Sequence, residues 1–140
     1  MKLSAKSRYG TRLMLDMAQH YEQGPIHLAQ VARRQGISVK YLEQIIIPLK
    51  KADYIRSVRG PKGGHALALA PEEITVGEIV ALLEKGTSLA ECAHNDKVCE
   101  RSQTCLTRWL WKEAGRALFD KLYSITLADV MNGAESCPAK

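Results

Sequence analysis

A chain of 140 residues, 46% of them apolar and carrying a formal charge of +5, is long enough for one domain with a real core and a small appendage. No run approaches the ~20 consecutive apolar residues of a membrane span. The charged start Met1-Lys2-Leu3-Ser4 lacks the apolar centre of a secretion signal, so the expectation is a cytoplasmic protein with no membrane partner.

In chain order, residues 3–22 predict a first helix with Leu13, Met14, Met17, Ala18 and Tyr21 as its apolar stripe. Lys6, Arg8 and Arg12 lie on its other faces, placed to meet phosphates. Gly24-Pro25 ends it. Leu28, Val31 and Ala32 then form a short stripe at helical spacing. Gly36 sits where the chain must reverse, and glycine accepts a positive φ there without strain. Ile37 fills the gap between helices and Ser38 is an N-cap candidate. Leu42 and Ile45 supply the buried face of the next helix. A small residue at 32, a glycine at 36 and apolar residues at 37, 42 and 45 fit a helix-turn-helix.

Pro48 lies inside that second helix. It removes one backbone bond and predicts a kink after a straight stretch from Val39 to Ile47. The exposed candidates for reading base edges in a major groove are Ser38, Lys40, Tyr41, Glu43 and Gln44. Glutamine can bond adenine bidentately, lysine can reach guanine or phosphate, and glutamate can accept from cytosine N4. Beyond the helix come Tyr54, Ile55 and Val58, the glycine-rich turn 60–64, and Ala66-Leu67-Ala68-Leu69. These read as a two-stranded hairpin with a basic tip, the wing of a winged helix. Arg59 and Lys62 are its basic residues, and Arg59 is placed to enter a minor groove, whose negative potential attracts arginine.

Thr75 and Glu78 form a capping box, with Ile74 and Ile79 as a hydrophobic staple, opening a helix that Gly86 closes after Lys85. Residues 86–104 form a long polar loop, and a loop of this length in a compact domain is usually functional or disordered. A long amphipathic helix from about Thr104 to Tyr123 follows, its stripe made of Leu106, Trp109, Leu110, Ala114, Ala117, Leu118 and Leu122. Trp109 and Trp111 cannot share a face. So small a domain has too little protein to cover both faces of this helix, which predicts a symmetric dimer. Thr126 caps a last helix, Leu127 to Asn132, Gly133 ends it, and a disordered tail follows.

The charge is uneven. Residues 1–65 hold 12 Lys and Arg against 4 Asp and Glu, a charge of +8, and residues 66–140 hold 8 against 11, a charge of −3. A basic half that coincides with a helix-turn-helix is the electrostatic footprint of a nucleic-acid binder. No Ser/His/acid set, phosphate loop or paired carboxylates stand out, which disfavours an enzyme.

Of the four cysteines, three lie close together. Cys92, Cys99 and Cys105 have six and five residues between them. In a reducing compartment they are ligands or reactive thiols rather than a disulfide framework. Three thiolates on one loop suit a soft metal centre. The spacing does not fit a zinc ribbon and is compatible with an iron–sulfur cluster, which normally takes four ligands. Unliganded redox thiols and small buried residues are the other readings.

Arg8-Tyr9-Gly10, Leu15-Asp16, Gly24-Pro25, Gln35-Gly36-Ile37-Ser38, Tyr41-Leu42-Glu43-Gln44, Val58-Arg59-Gly60-Pro61, the three-cysteine loop, Cys105-Leu106-Thr107 and Ile125-Thr126-Leu127 occur in this order. In these motifs, across nearly its whole length, the chain resembles a bacterial winged-helix family of transcription regulators. That family includes the iron–sulfur cluster regulator IscR, the nitric-oxide-sensing repressor NsrR and the cysteine-metabolism repressor CymR, and the resemblance is closest to the first. It implies a mainly α fold with a small β-hairpin, a winged helix-turn-helix with a long C-terminal dimerisation helix. It implies a homodimer on a palindromic double-stranded DNA operator. It implies DNA contacts by Ser38, Lys40, Glu43, Gln44 and Arg59. It also implies a cluster on Cys92, Cys99 and Cys105, 2Fe–2S favoured over 4Fe–4S, whose state alters DNA affinity. Two departures stand out. The IscR branch has a histidine ligand three residues after the last cysteine, and here that position is Arg108, which stays protonated and cannot ligate. The NsrR branch uses an aspartate near the start of the first helix, and here that position is Arg8. The fourth ligand is therefore open among His94, Glu91, Asp96, Glu100, Cys137 and solvent or a small thiol.

The expected division is 1–85 for DNA binding, 86–105 for the cysteine loop and 106–140 for dimerisation and tail. The expected activity is sequence-specific transcription regulation that senses iron–sulfur or redox status. One rival is a cluster-free repressor controlled by a protein partner, since Pro48 is shared with the CymR branch. A small iron–sulfur electron carrier is the other, and it has no use for a basic winged helix.

Overall fold

A computed structural model describes residues 2–133. Over these residues the chain forms seven α-helices and one antiparallel hairpin. The first helix, α1, spans Ala5–Gln19 and is capped by Ser4, whose Oγ accepts from the Ser7 amide at 3.1 Å. Leu13, Met14, Met17 and Ala18 are buried, as their spacing predicts. The helix stops earlier than expected. The His20 amide turns back to the Met17 carbonyl, and its ring Nδ1 bonds the Asp16 carbonyl at 2.8 Å. Those bonds tighten the end into a 3-10 turn over Tyr21–Gln23. Tyr21, assigned to the buried stripe, is exposed.

The helix-turn-helix is α2, Leu28–Gln35, followed by α3, Val39–Lys51. Gly36 adopts φ 64°, the left-handed conformation the turn needs, and Ile37 is buried behind it. Ser38 Oγ accepts from the Tyr41 amide at 3.1 Å. Helix α3 continues through Pro48 to Lys51. Only the Gln44 carbonyl loses its helical donor. Leu42, Ile45, Ile46 and Leu49 bury the helix on both sides of the proline, and the Ala52 amide closes the last turn on the Pro48 carbonyl at 3.0 Å.

The wing pairs β1, Ile55–Val58, with β2, Gly64–Leu67, in the register Ile55 to Leu67 and Val58 to Gly64. It is pinned to the body by two backbone bonds between Ile26 and His65, at 2.9 and 2.8 Å. Gly64 makes that approach feasible. It has φ 147°, and a Cβ there would lie 2.5 Å from the Ile26 carbonyl oxygen.

Helix α4, Val76–Glu84, opens with the predicted capping box. The Thr75 amide donates to Glu78 Oε2 at 2.8 Å, and the Glu78 amide to Thr75 Oγ1 at 3.2 Å. Its end differs by one residue. Lys85 takes the left-handed position, φ 61°, and the Gly86 amide returns to the Ala81 carbonyl at 2.9 Å. The following segment is not a structureless loop. It contains the short helix α5, Glu91–His94, and Ser102 is buried in the turn beyond it. Helix α6 spans Leu106–Tyr123 and α7 spans Leu127–Gly133. The Leu127 amide bonds the Ile74 carbonyl at 2.9 Å, and its side chain joins the core made by Leu13, Leu42, Leu49 and Ile79. The tail predicted to be disordered lies outside the described residues.

Candidate DNA-reading face and cysteine loop

Four positions of α3 lie on one face by helical spacing: Lys40, Glu43, Gln44 and Ile47. All four are exposed, and so is the cap Ser38. Tyr41, predicted among the exposed candidates, is half-buried. Its ring meets Tyr9 of α1 edge-on at 5.7 Å, so it braces α3 against α1. Ile47 was missed by sequence reasoning. It is 53% exposed, one turn beyond Glu43 and Gln44. The signal was present in its spacing from Lys40 and Gln44, but an isoleucine in an apolar run reads as core. Arg59 and Lys62 are exposed at the wing tip. Of the three basic residues assigned to phosphates on α1, Arg12 is already engaged, donating to the Gln35 side chain at 3.1 Å and to the Gln35 carbonyl.

The orientation of α2 on α1 is set by a buried carboxylate. Asp16 receives Arg34 Nε at 3.0 Å, Arg34 Nη2 at 2.6 Å and Gln35 Nε2 at 3.0 Å. Burial pushes its carboxyl up. The hydrogen bonds of Arg34 and Gln35 and the charge of Arg34 outweigh that and hold it below its ordinary range. All three donor groups come from the end of α2, immediately before the turn that launches α3.

The three cysteines occupy different elements. Cys92 lies within α5, Cys99 in the turn before Ser102, and Cys105 immediately before the first residue of α6. Each is half-buried. The Cys105 thiol is held below its ordinary value by its hydrogen bond with the Thr107 hydroxyl at 3.1 Å and by the Arg108 amide. The donor chemistry suits a soft metal. The loop as folded does not gather it: among the described residues no group of three His, Cys, Asp or Glu is placed to hold a metal ion. Among the fourth-ligand candidates, His94, Glu91 and Glu100 are exposed, and Asp96 is already bound by Arg108. Cys137 lies outside the described residues.

The long helix has two faces, and the stripe assigned to it lies mostly on the outer one. Gly115 and Phe119 are buried and Leu122 is half-buried, against the body of the domain. Leu106, Leu110 and Ala117 point the other way with Trp109 beside them. All four are exposed, Leu106 by 87% and Trp109 by 66%. Trp111 is exposed as well, so neither tryptophan is in the core. Among the described residues, no helix is long and apolar enough to cross a membrane.

Residues 3–133 match the family model Rrf2, described as an iron-dependent transcriptional regulator. The chain is 48% identical over 138 residues to the protein rrf2 of Nitratidesulfovibrio vulgaris, covering 99% of this chain and 92% of the relative. Among solved structures, IscR of T. potens superposes with a TM-score of 0.80 at 38% identity, covering 100% of this chain and 93% of that one. CymR, the global cysteine regulator of B. subtilis, superposes with a TM-score of 0.76 at 35% identity, covering 93% and 95%.

Proposed function

The chain belongs to the Rrf2 family of iron-dependent transcriptional regulators, and from that membership we propose that it works as a homodimer on a palindromic DNA operator in the cytoplasm. Residues 1–85 read the DNA, 86–105 carry the regulatory loop, and 106–140 comprise the dimerisation helix, a short helix and the tail. The observation that carries this reading is the single exposed face of α3, Lys40, Glu43, Gln44 and Ile47, flanked by Arg59 and Lys62 on the wing. Gln44 and Lys40 present hydrogen-bond donors to base edges, each good bidentate pair being worth about 1–3 kcal/mol of discrimination. Glu43 accepts from cytosine and otherwise repels the duplex. Ile47 is apolar and suits the 5-methyl group of thymine. Arg59 enters the minor groove and Lys62 neutralises phosphate.

The outward stripe of α6 supports pairing with a second copy. Each leucine it removes from water contributes about 1.5–3 kcal/mol, counted in both chains. Two α3 helices related by that axis would meet successive major grooves about 34 Å apart. Selection of duplexes from random DNA by the full-length protein, followed by footprinting, tests the reading. Two-fold symmetric protected half-sites are expected; binding without them overturns it.

Within the same proposal, Cys92, Cys99 and Cys105 would hold an iron–sulfur cluster, 2Fe–2S rather than 4Fe–4S, with His94 the first candidate for the fourth position. Such a cluster, when bound, supplies an iron- and redox-responsive centre. Cys105 immediately precedes α6, so a change in the loop reaches the helix whose outer face sets the spacing of the two reading heads. A second reading is a cluster-free regulator controlled by a protein partner. It is favoured by the loop, which Arg108 closes with its own hydrogen bonds, and by the likeness to CymR. Anaerobic purification with visible absorption and iron and sulfide analysis separates the two. Stoichiometric iron and sulfide supports the sensor; their absence leaves the cluster-free regulator.

A further inference from the structure

Arg108 stands three residues after Cys105 on the inner face of α6, with 13% of its side chain exposed. Its Nε donates to the Cys92 carbonyl at 2.7 Å, its Nη1 to the Ser102 carbonyl at 3.2 Å, and its Nη2 to the Asp96 carboxylate. A single planar fork thus ties α6 to three separate points of the cysteine loop. Ser102 extends the tie. Its amide and its hydroxyl both donate to the Cys99 carbonyl, at 3.1 and 2.6 Å. Each cysteine position is therefore referred to Arg108. Cys92 is bound directly, Cys99 through Ser102, and Cys105 is one turn away on the same helix.

We propose that Arg108 is a latch that holds the cysteine loop in an arrangement in which, among the described residues, no three His, Cys, Asp or Glu side chains are placed to share a metal ion, and that gathering the thiols on a soft metal requires the latch to open. The loop and the helix start are then held together by the chain's own guanidinium. Two arrangements of one loop compete, and whatever shifts the balance does so by its different affinity for the two. The opposition to metal rests on the role proposed above for the three cysteines. The latch itself rests only on the guanidinium contacts, and the two have separate readouts.

The test uses the full chain, stripped of metal with a chelator and kept anaerobic. Arg108→Lys keeps the positive charge near the thiols but loses the fork that reaches several acceptors at once. Amide hydrogen exchange at Asn95, Ser102 and Thr104 is expected to be at least ten-fold faster in this variant, with α1 to α4 unchanged. Titration with Co²⁺, read by the thiolate-to-metal absorption band, is expected to give a Kd at least ten-fold lower than the parent. Asp96→Ala removes one of the three anchors at an exposed position and is expected to fall between the two. Equal exchange in the parent and both variants overturns the latch. Faster exchange with equal or weaker cobalt binding overturns its opposition to metal. An absent cobalt band in every protein overturns that opposition together with the metal role of the cysteines, and exchange then decides the latch alone.

Discussion

Arg34 of α2 grips Asp16 of α1 with two arms of its guanidinium, 3.0 Å to one carboxylate oxygen and 2.6 Å to the other. The carboxylate is fully buried while Arg34 keeps 35% of its side chain exposed. Removing the charge in Asp16→Asn leaves Arg34 without its counter-ion. The expected loss is about 2–3 kcal/mol of unfolding free energy at neutral pH, below the full value of a buried pair because Arg34 is partly screened by water. The sign with pH follows from the lowered carboxyl. Its contribution is complete above the ordinary value of 3.8 and is lost as pH falls through the lower folded value. Urea unfolding at neutral and at acid pH checks both parts: the variant should lose less stability on acidification than the parent.

Arg59 and Glu43 should fail in different ways. Arg59→Ala is expected to weaken binding, most at operators with a narrow minor groove, and to lower the salt dependence of the binding constant. Glu43→Ala is expected to keep or raise affinity while accepting more operators, because an unpaired carboxylate penalises wrong bases. Competition among operator variants at several salt concentrations measures both. An unchanged ranking of operators by the Glu43 variant would sink its part in selectivity.

Ile47 can be read by a change of one methyl group in the DNA. Replacing thymidine by deoxyuridine, one position at a time in each half-site, removes only the 5-methyl group. One such position should weaken the parent protein several-fold and leave Ile47→Ala unaffected, an energy of about 1 kcal/mol. Loss of the same size in both proteins would assign that methyl to another side chain.

Leu110 lies in the middle of the outward stripe of α6. Leu110→Glu puts a charge on each side of a two-fold axis. Sedimentation should show monomers, and operator affinity should fall by at least ten-fold because two linked half-sites become independent. Far-ultraviolet circular dichroism should remain that of the parent, since the residue lies on the exposed side of α6.

Much of this protein was legible without coordinates, wherever the determinant lies within a few residues. Ser38, Thr75 and Thr126 cap helices because a hydroxyl reaches an amide three positions on. Gly36 turns because no side chain resists a positive φ. The wing follows from two short runs around a glycine-rich tip. The rest depended on contacts far apart in the chain. Pro48 stays in a helix because Ile45 and Leu49 anchor it on either side. Tyr41 turns inward because Tyr9 of another helix is there to meet it. The outward stripe of α6 separates from the buried one only once Gly115 and Phe119 have docked. Arg108 reads in sequence as a missing ligand, and only the fold brings the carbonyls of Cys92 and Ser102 to its guanidinium. Capping and turn preference act through neighbouring residues, whereas a guanidinium takes whatever acceptors the packed chain delivers, and no local pattern encodes which those are.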